Sequence, residues 1–236
     1  MGRHTETKNS SSDDAAPLVY IIVLNYNGLH HLEYCLPSLL AAEYPNYRVV
    51  VVDNASADDS VAHVRSTYPN VELLASPHNA GWSGGNNLGI RHALARGAAY
   101  IALANNDIRV DPRWIQEGVK ACQEDERIGL VGYRILTSQR DFAEAMAQWD
   151  APQIRQVNAN PGCALLVRSK LFEGIGLIDE TFFAYCEEID LAYRAARAGY
   201  TSVEINVPVW HARGGTFGTI PLRSGYLAMQ SQIHFA

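Results

Sequence analysis

The chain lacks the features that would mark a membrane span, a disulfide scaffold or a general nucleic-acid binder. No apolar run in its 236 residues approaches the roughly 20 residues that cross a bilayer. Membrane contact is therefore expected to be peripheral at most, or to come through a lipid-linked substrate. Cysteines number four, Cys35, Cys122, Cys163 and Cys186, and none stand in C-x-x-C spacing. That favours reduced thiols and a cytoplasmic setting over a disulfide framework or a zinc site. Lys and Arg total 19 against 25 Asp and Glu, for a net charge of -6. A protein that neutralises nucleic-acid phosphates normally shows a basic stripe instead, so no nucleic-acid partner is expected. One nucleotide remains open as a ligand, because a single diphosphate needs only a metal or a few donors.

What is present is a core-forming composition, 47% hydrophobic and 19% charged, at a length that suits one large domain and would crowd two. Residues 1–17 are polar, have no signal-peptide apolar stretch, and read as a disordered leader. The opening Met-Gly does not continue into a myristoylation motif, since Glu6 stands where Ser or Thr is required. Beyond the leader, β-branched runs alternate with segments of helical period. Val19 to Leu24 reads as a strand, and Leu29, Leu32, Leu36, Leu39 and Leu40 mark one helix face. Pro37 falls inside that face and predicts a bend or break. A strand over Tyr47 to Val52, a helix over about Asp58 to Tyr68 capped by Ser56 or Asp58, and a strand over Val71 to Leu74 complete a βαβ pattern, hence a parallel sheet. The stretch from Leu136 to Gln156 carries no readable motif.

Polar signatures recur directly after the strand-like runs. They are Asn25-Tyr26-Asn27, Asp53-Asn54-Ala55-Ser56, Asn105-Asn106-Asp107 and, closing Val207 to Trp210, His211. Open α/β sheets bind ligands beyond the carboxyl ends of their strands, so these groups read as one assembled site. The segment Asn79 to Gly89 is rich in Gly and Asn and leads toward a helix. Close backbone approach and helix-start amides there suit an anionic or nucleotide group, although a plain capped loop explains the composition equally well. Asp107 can present a carboxylate to a divalent cation or simply sit in a turn. His211 can be a ligand or a satisfied strand-end residue. Glu187, Glu188 and Asp190 open a helix to about Ala198, where carboxylates complement the dipole and Asp190 can pair with Arg194. Three acids within four residues also repel one another, which raises a pKa and can create a proton acceptor.

Taken in order, VYIIVLNYNG, VVVVDNASADDS, NAGWSGGNNLGI, LANNDIRV, FFAYCEEIDLAYRAARAGY and VWHARGG resemble the family 2 glycosyltransferases of GT-A fold, particularly the rhamnosyltransferase-like branch. The resemblance runs from about Leu18 to Thr216. It implies a single α/β domain with a mostly parallel sheet flanked by helices, a donor half over 18–107 and an acceptor half over 108–216. The tail 217–236 resembles its relatives only loosely and reads as truncated.

By position, the resemblance assigns Asn25, Tyr26, Asn27, Asp53, Asn54, Ser56, Asn79, Gly81, Gly84, Asn86 and Asn106 to the nucleotide-sugar donor. Asn105-Asn106-Asp107 matches a D-x-D-type motif whose first acid is Asn105 here, leaving Asp107 and His211 to hold Mg2+ or Mn2+. Glu188 matches the usual base, with Glu187 and Asp190 as alternatives. The implied activity is inverting transfer from a UDP- or dTDP-sugar to a saccharide or lipid-linked acceptor at the inner face of the cytoplasmic membrane, as in surface polysaccharide synthesis. An inactive nucleotide-sugar binding domain is the alternative reading. A sugar-1-phosphate nucleotidyltransferase would need a basic phosphate loop where Asn25-Tyr26-Asn27-Gly28 stands, and a dehydrogenase would need G-x-G-x-x-G there.

Overall fold

The structure is a computed structural model and describes residues 15–212. Strand β1 (Val19–Asn25) lies centrally. It is followed by α1 (Leu29–Leu40), β2 (Tyr47–Asp53), α2 (Ser60–Thr67), β3 (Glu72–Ala75), α3 (Gly81–Leu94) and β4 (Tyr100–Asn105). The second half runs β5 (Ile108–Val110), α4 (Trp114–Glu124), β6 (Ile128–Leu136), α5 (Gln139–Gln148), β7 (Ile154–Val157), β8 (Ala164–Arg168), α6 (Ser169–Ile175), α7 (Glu187–Arg197) and β9 (Thr201–His211). All strands join one sheet of order β3-β2-β1-β4-β8-β6-β9-β5, with β7 also on β9. Strands β1, β2, β3, β4, β6 and β9 run one way, and β5, β7 and β8 run the other. The sheet is thus mostly parallel, as read from the sequence.

The pleat of β1 sorts its side chains into two cores. Val19, Ile21 and Val23 pack with Leu32, Leu36 and Leu39 of α1 and with Trp114 of α4. Tyr20 and Ile22 pack on the opposite face with Ile90 of α3, Leu171 of α6 and Leu191 of α7. Burial on both faces is why the strand sequences are near-continuous apolar runs rather than alternating ones. Their carboxyl ends are brought level by register, with Asn25 opposite Asp53 and Leu24 opposite Asn105.

Several sequence expectations need correction. Helix α1 passes through Pro37 unbroken. Pro37 is exposed, so the hydrogen bond its missing N–H costs lies on the water-facing side, where solvent can satisfy the freed carbonyl. The Gly/Asn-rich segment is not a loop before a helix, because α3 begins at Gly81 itself. Two of its glycines, Gly85 and Gly89, face the sheet, and a Cβ at Gly89 would sit 2.6 Å from Ile22 Cγ2. The unread stretch 136–156 forms α5 and β7. Of the expected leader, the described part is tied down, since Tyr44 Oη donates to the Pro17 carbonyl at 2.7 Å and Asn46 Nδ2 to that of Ala16 at 2.7 Å. The rest of the leader, Arg213 to Thr216 and the tail lie outside the described residues.

Two alanine substitutions should therefore have opposite signs. Gly89→Ala forces a methyl into Ile22 and is expected to lower stability by about 1–3 kcal/mol, the usual cost of overpacking. Gly174, in α6, has no atom within 4 Å of its would-be Cβ. Gly174→Ala should raise stability by about 0.5–1 kcal/mol through helix propensity. Urea unfolding of both variants checks the pair, and a stabilising Gly89→Ala would contradict the helix-on-sheet contact.

Candidate functional site

The strand ends are joined by a buried polar network. Asn25 Nδ2 donates to Asp53 Oδ2 at 3.1 Å and to Ser56 Oγ at 3.3 Å, while its Oδ1 accepts from Asn106 Nδ2 at 2.8 Å. Ala55, with φ 65°, turns the chain so that the Ser56 N–H reaches Asp53 Oδ1 at 3.0 Å. Ser56 Oγ in turn accepts from the Asn27 N–H at 2.9 Å. Asn27, at φ 51°, accepts from the Ala57 N–H through its side chain at 2.7 Å. The Asp53 carboxylate is thus oriented on both oxygens, with Tyr26 half-buried in the same loop. Asp58, not Ser56, serves the second helix: it accepts from the Ser60 N–H at 3.1 Å and from the Leu29 N–H at 3.1 Å, so that one carboxylate fixes two helix starts.

Asn54 holds the next segment in place. Its Nδ2 donates to Asn79 Oδ1 at 2.9 Å and to the Gly81 carbonyl at 2.9 Å, and its Oδ1 accepts from the Ala80 N–H at 3.0 Å. Gly81 has φ 73° and is packed against the Phe183 backbone, so no side chain fits there. A Cβ at Gly84 would meet Ala80 Cβ at 2.7 Å and Glu180 beyond it. Asn86 donates to the Trp82 carbonyl at 2.9 Å, but its own Oδ1 is buried with no partner among the described residues.

Sequence reasoning missed the residues that join this helix to the acidic segment. Asn87 donates to the Ile178 carbonyl at 2.8 Å and to Glu180 Oε1 at 2.9 Å, and accepts from the Ile178 N–H at 3.1 Å. Trp82 Nε1 donates to Asn105 Oδ1 at 3.0 Å. Only the run of Asn and Gly around them could have hinted at this role.

Asp107 and His211 meet across the start of β5, with His211 Nε2 3.2 Å from Asp107 Oδ1. Burial disfavours the imidazolium, yet the Asp107 carboxylate and the Cys163 thiol bring His211 up to about 10. Asp107 is held below the usual carboxylate range: burial opposes its charge, but His211, and more remotely His31, outweigh it. His31 sits on α1, bonded through Nδ1 to Tyr34 Oη at 2.6 Å. Its buried Nε2 has no partner among the described residues. Among those residues no group of three or more His, Cys, Asp and Glu is placed to hold a metal. One carboxylate and one imidazole are nevertheless the donor set that fits a cation whose remaining ligands come from substrate phosphate and water.

Helix α7 opens from two consecutive left-handed residues, Tyr185 (φ 74°) and Cys186 (φ 72°). Such conformations cost roughly 1–3 kcal/mol each outside glycine and gather where a site over-determines them. They deliver Glu187, 5% exposed, and Glu188, half-buried. Oε2 of each is buried without a hydrogen-bond partner among the described residues. Burial, followed by the charge of Glu188, lifts Glu187 to about 8. Burial also raises Glu188, partly offset by a backbone hydrogen bond. Gly162 is packed between the Trp82 ring, 3.0 Å from its would-be Cβ, and Glu188 Cβ, 3.8 Å away. Asp190 is separate from this pair, bound to Arg194 at 2.6 Å, whose Nη1 also donates to the Ile175 carbonyl at 2.8 Å. The ordinary helix chemistry of this cluster thus falls to Asp190.

Comparison with known proteins shows the family and the fold. The model of "Glycosyl transferase family 2" matches residues 20–189. An uncharacterized protein of Mycobacterium tuberculosis is 31% identical over 191 residues, covering 74% of this chain and 71% of that protein. The N-acetylglucosaminyl-diphospho-decaprenol L-rhamnosyltransferase of the same species is 28% identical, covering 85% of this chain and 78% of the relative. The low-salt glycan biosynthesis hexosyltransferase of Haloferax volcanii is 26% identical over 75% of this chain, which spans 61% of that enzyme. Among solved structures, a mannosyltransferase from Pyrobaculum calidifontis in complex with GDP-Man and Mn2+ superposes with a TM-score of 0.72 at 23% identity, covering 92% of this chain and 64% of its own. At that identity the likeness speaks for the fold, which is that of GT-A glycosyltransferases.

The Glu187 environment makes stability depend on pH in a definite direction. A carboxyl raised in the fold is protonated where the unfolded chain is already ionised. Its contribution is therefore complete below the unfolded value and is lost as pH rises through about 8. Glu187→Gln removes the ionisation. Its melting temperature relative to wild type should rise between about pH 5 and about pH 9. Scanning fluorimetry at both pH values reads the gap, and a gap that stays constant would overturn the assignment.

Proposed function

The chain belongs to glycosyl transferase family 2, and from that premise we propose that it carries out inverting transfer of a sugar from a UDP- or dTDP-sugar to a hydroxyl of a saccharide or lipid-linked acceptor. The observation that carries this reading is the pair of buried carboxylate oxygens on Glu187 and Glu188 that have no partner among the described residues, next to the Trp82–Gly162 contact. Buried polar atoms are ordinarily satisfied, and exceptions call for a reason. With Glu187 raised to about 8, it holds its proton at neutral pH, while Glu188, raised by burial but the more accessible of the two, is the carboxyl placed to act as base. Two carboxyls whose environments differ in this way divide into a proton holder and a base.

In the proposed step Glu188 accepts the proton of the acceptor hydroxyl. That oxygen attacks the anomeric carbon on the face opposite the nucleoside diphosphate, and the bond from carbon to diphosphate oxygen breaks. Asp53, oriented by Asn25 and Ser56, offers its carboxylate to the nucleobase, with Tyr26 and Asn27 beside it. Asn79, Gly81, Gly84 and Asn86 line the sugar-phosphate side. Asp107 and His211 would hold Mg2+ or Mn2+, which when bound supplies positive charge against the departing diphosphate. Rhamnose is the sugar favoured by the name of the mycobacterial relative, and that name also favours a lipid-linked acceptor. Such an acceptor would place the chain at the inner face of the cytoplasmic membrane. Among the described residues no helix is long and apolar enough to cross one, which is compatible with a peripheral position.

Calorimetric titration of UDP and dTDP, with Mn2+, with Mg2+ and with EDTA, tests the donor side. Metal-dependent binding of one nucleotide is expected, and Asp107→Ala should abolish the metal dependence. Equal affinity with and without metal in the wild type would remove Asp107 and His211 from the metal site. On the acceptor side, Glu188→Gln should lower turnover by about 100- to 10,000-fold while leaving nucleotide affinity unchanged. Undiminished turnover would exclude Glu188 as the base.

A further inference from the structure

The stretch that carried no readable motif closes a trough of about 570 Å³, lined among others by Arg134, Trp149, Asp150, Gln153, Arg155 and Glu204. Its position follows from register. Gly132 of β6 pairs with Glu204 of β9, and Glu204 pairs with Arg155 of β7. Paired residues project from the same face of a sheet. A side chain at Gly132 would run into Asn160, so Asn160, Glu204 and Arg155 stand in one row on one face. Two residues beyond Asn160, Gly162 touches the Trp82 ring and faces Glu188. The trough therefore begins one strand away from the loop that walls the proposed base, and Arg155 lies roughly 10 Å, two strand spacings, across from Asn160. Asn160 is itself 5% exposed, and neither atom of its amide has a partner among the described residues.

The walls define the chemistry of an occupant. Arg134 and Arg155 are balanced by Asp150 and Glu204, with Arg155 Nη2 2.8 Å from Glu204 Oε1. A charge-balanced trough gives no advantage to a phosphate. Arg134, Asp150 and Gln153 are exposed and present planar groups that can donate or accept in pairs. Trp149 supplies an aromatic wall fixed in orientation, with its Nε1 donating to Asn206 Oδ1 at 3.3 Å and the Arg113 guanidinium 4.2 Å from its ring centroid. An aromatic wall with a few convergent polar groups suits a molecule that has both apolar faces and vicinal hydroxyls. It does not suit an alkyl chain, which would leave the charged groups unpaired.

Resting on the transferase reading, we infer that this trough binds the neutral saccharide chain that bears the acceptor hydroxyl, so that the acceptor is an oligosaccharide rather than a single sugar. The chain would run from Glu188 past Asn160 onto the Trp149 wall. Helix α5, which forms one side, has no buried residue. It can therefore adjust around a ligand at little cost to the core.

Saturation-transfer NMR on the wild-type chain, with a panel of neutral gluco-, galacto-, manno- and rhamno-configured trisaccharides, their monosaccharides and a sulfated trisaccharide, tests this directly. At least one neutral trisaccharide should bind more tightly than its monosaccharide, with saturating UDP or dTDP and Mn2+ present as well as absent. Arg134→Ala and Gln153→Ala, both at exposed positions, should each weaken that binding about tenfold, the loss of one strong hydrogen bond, and leave nucleotide affinity unchanged. Binding that is confined to the sulfated member, that is absent across the panel, or that is indifferent to both substitutions would overturn the inference. The nucleotide titration separates the two claims. Nucleotide binding without trisaccharide binding defeats the trough alone, whereas failure of nucleotide binding defeats the donor reading whatever the trisaccharides do.

Discussion

The side chain of Asn25 is the contact on which the carboxyl end of the sheet depends. It is fully buried, yet both ends of its amide are used, the nitrogen toward Asp53 and Ser56 and the oxygen toward Asn106. These partners come from the ends of β2 and β4, the two neighbours of β1 in the sheet. A buried amide stripped of either partner would bear a desolvation cost of about 1–3 kcal/mol. The network therefore fixes the relative height of three strand ends as well as the direction of one carboxylate. Asn54 repeats the device one residue beyond Asp53, tying the start of α3 to the end of β2. Apolar packing sets the strands in order, but these amides turn three adjacent ends into a single surface.

On the other side of that surface the fold does the opposite and leaves polar groups unsatisfied. Glu187, Glu188, Asn86 and Asn160 all have buried atoms without partners among the described residues, and two left-handed residues precede the carboxylates. Held together only by propensity and packing, such a cluster would relax. It is kept by the Phe183 carbonyl accepting from the Trp82 N–H at 2.6 Å and by Asn87, which grips both sides of Ile178. The satisfied network thus fixes the side proposed for the donor, while the unsatisfied groups stand where a substrate could complete them. That division is what a transfer reaction requires, since interactions left open in the free protein can strengthen as charge develops.

Much of this was legible in the sequence because each element had a single physical cause. The apolar runs at Val19, Tyr47 and Tyr100 could only be strands buried on both faces, and a polar residue after each could only lie at the carboxyl edge. The polar cluster at the strand ends was visible for the same reason, as a recurrence of position rather than of any one motif. Where two causes competed, the sequence misled. Pro37 signals a break, but its exposure lets water take the freed carbonyl. The Gly/Asn run signals a loop, but close approach to Leu24 and Ile22 needs glycine within a helix. In the stretch 136–156, α5 does repeat Phe142, Ala145, Met146 and Trp149 at helical spacing, but only half-buries them, and β7 is short and exposed, so the period stands out less than in the core elements and was passed over. Asn87 and Trp82 had only the Asn and Gly run around them as a hint, and Gly162 had none, since their roles depend on contacts with residues distant in sequence.

The place of Asn105 shows how a missing charge is absorbed. A second carboxylate there would lie close to Asp107 and would need a cation for both to remain ionised. The amide instead accepts from the Trp82 N–H at 3.0 Å, a neutral bond that stands without any ion. Trp82 also packs on Gly162 beside Glu188, so Asn105 links the strand end that carries Asp107 to the wall of the carboxylate pair. In the proposed reading Asp107 and its partner His211 are then the pair left to hold a cation, while Asn105 acts in positioning. In that reading the amide gives up electrostatic strength at a cation and gains a fixed distance between the donor and acceptor sides. A transfer reaction gains from that exchange, because misplacing reacting groups by about 1 Å can cost on the order of a hundredfold in rate.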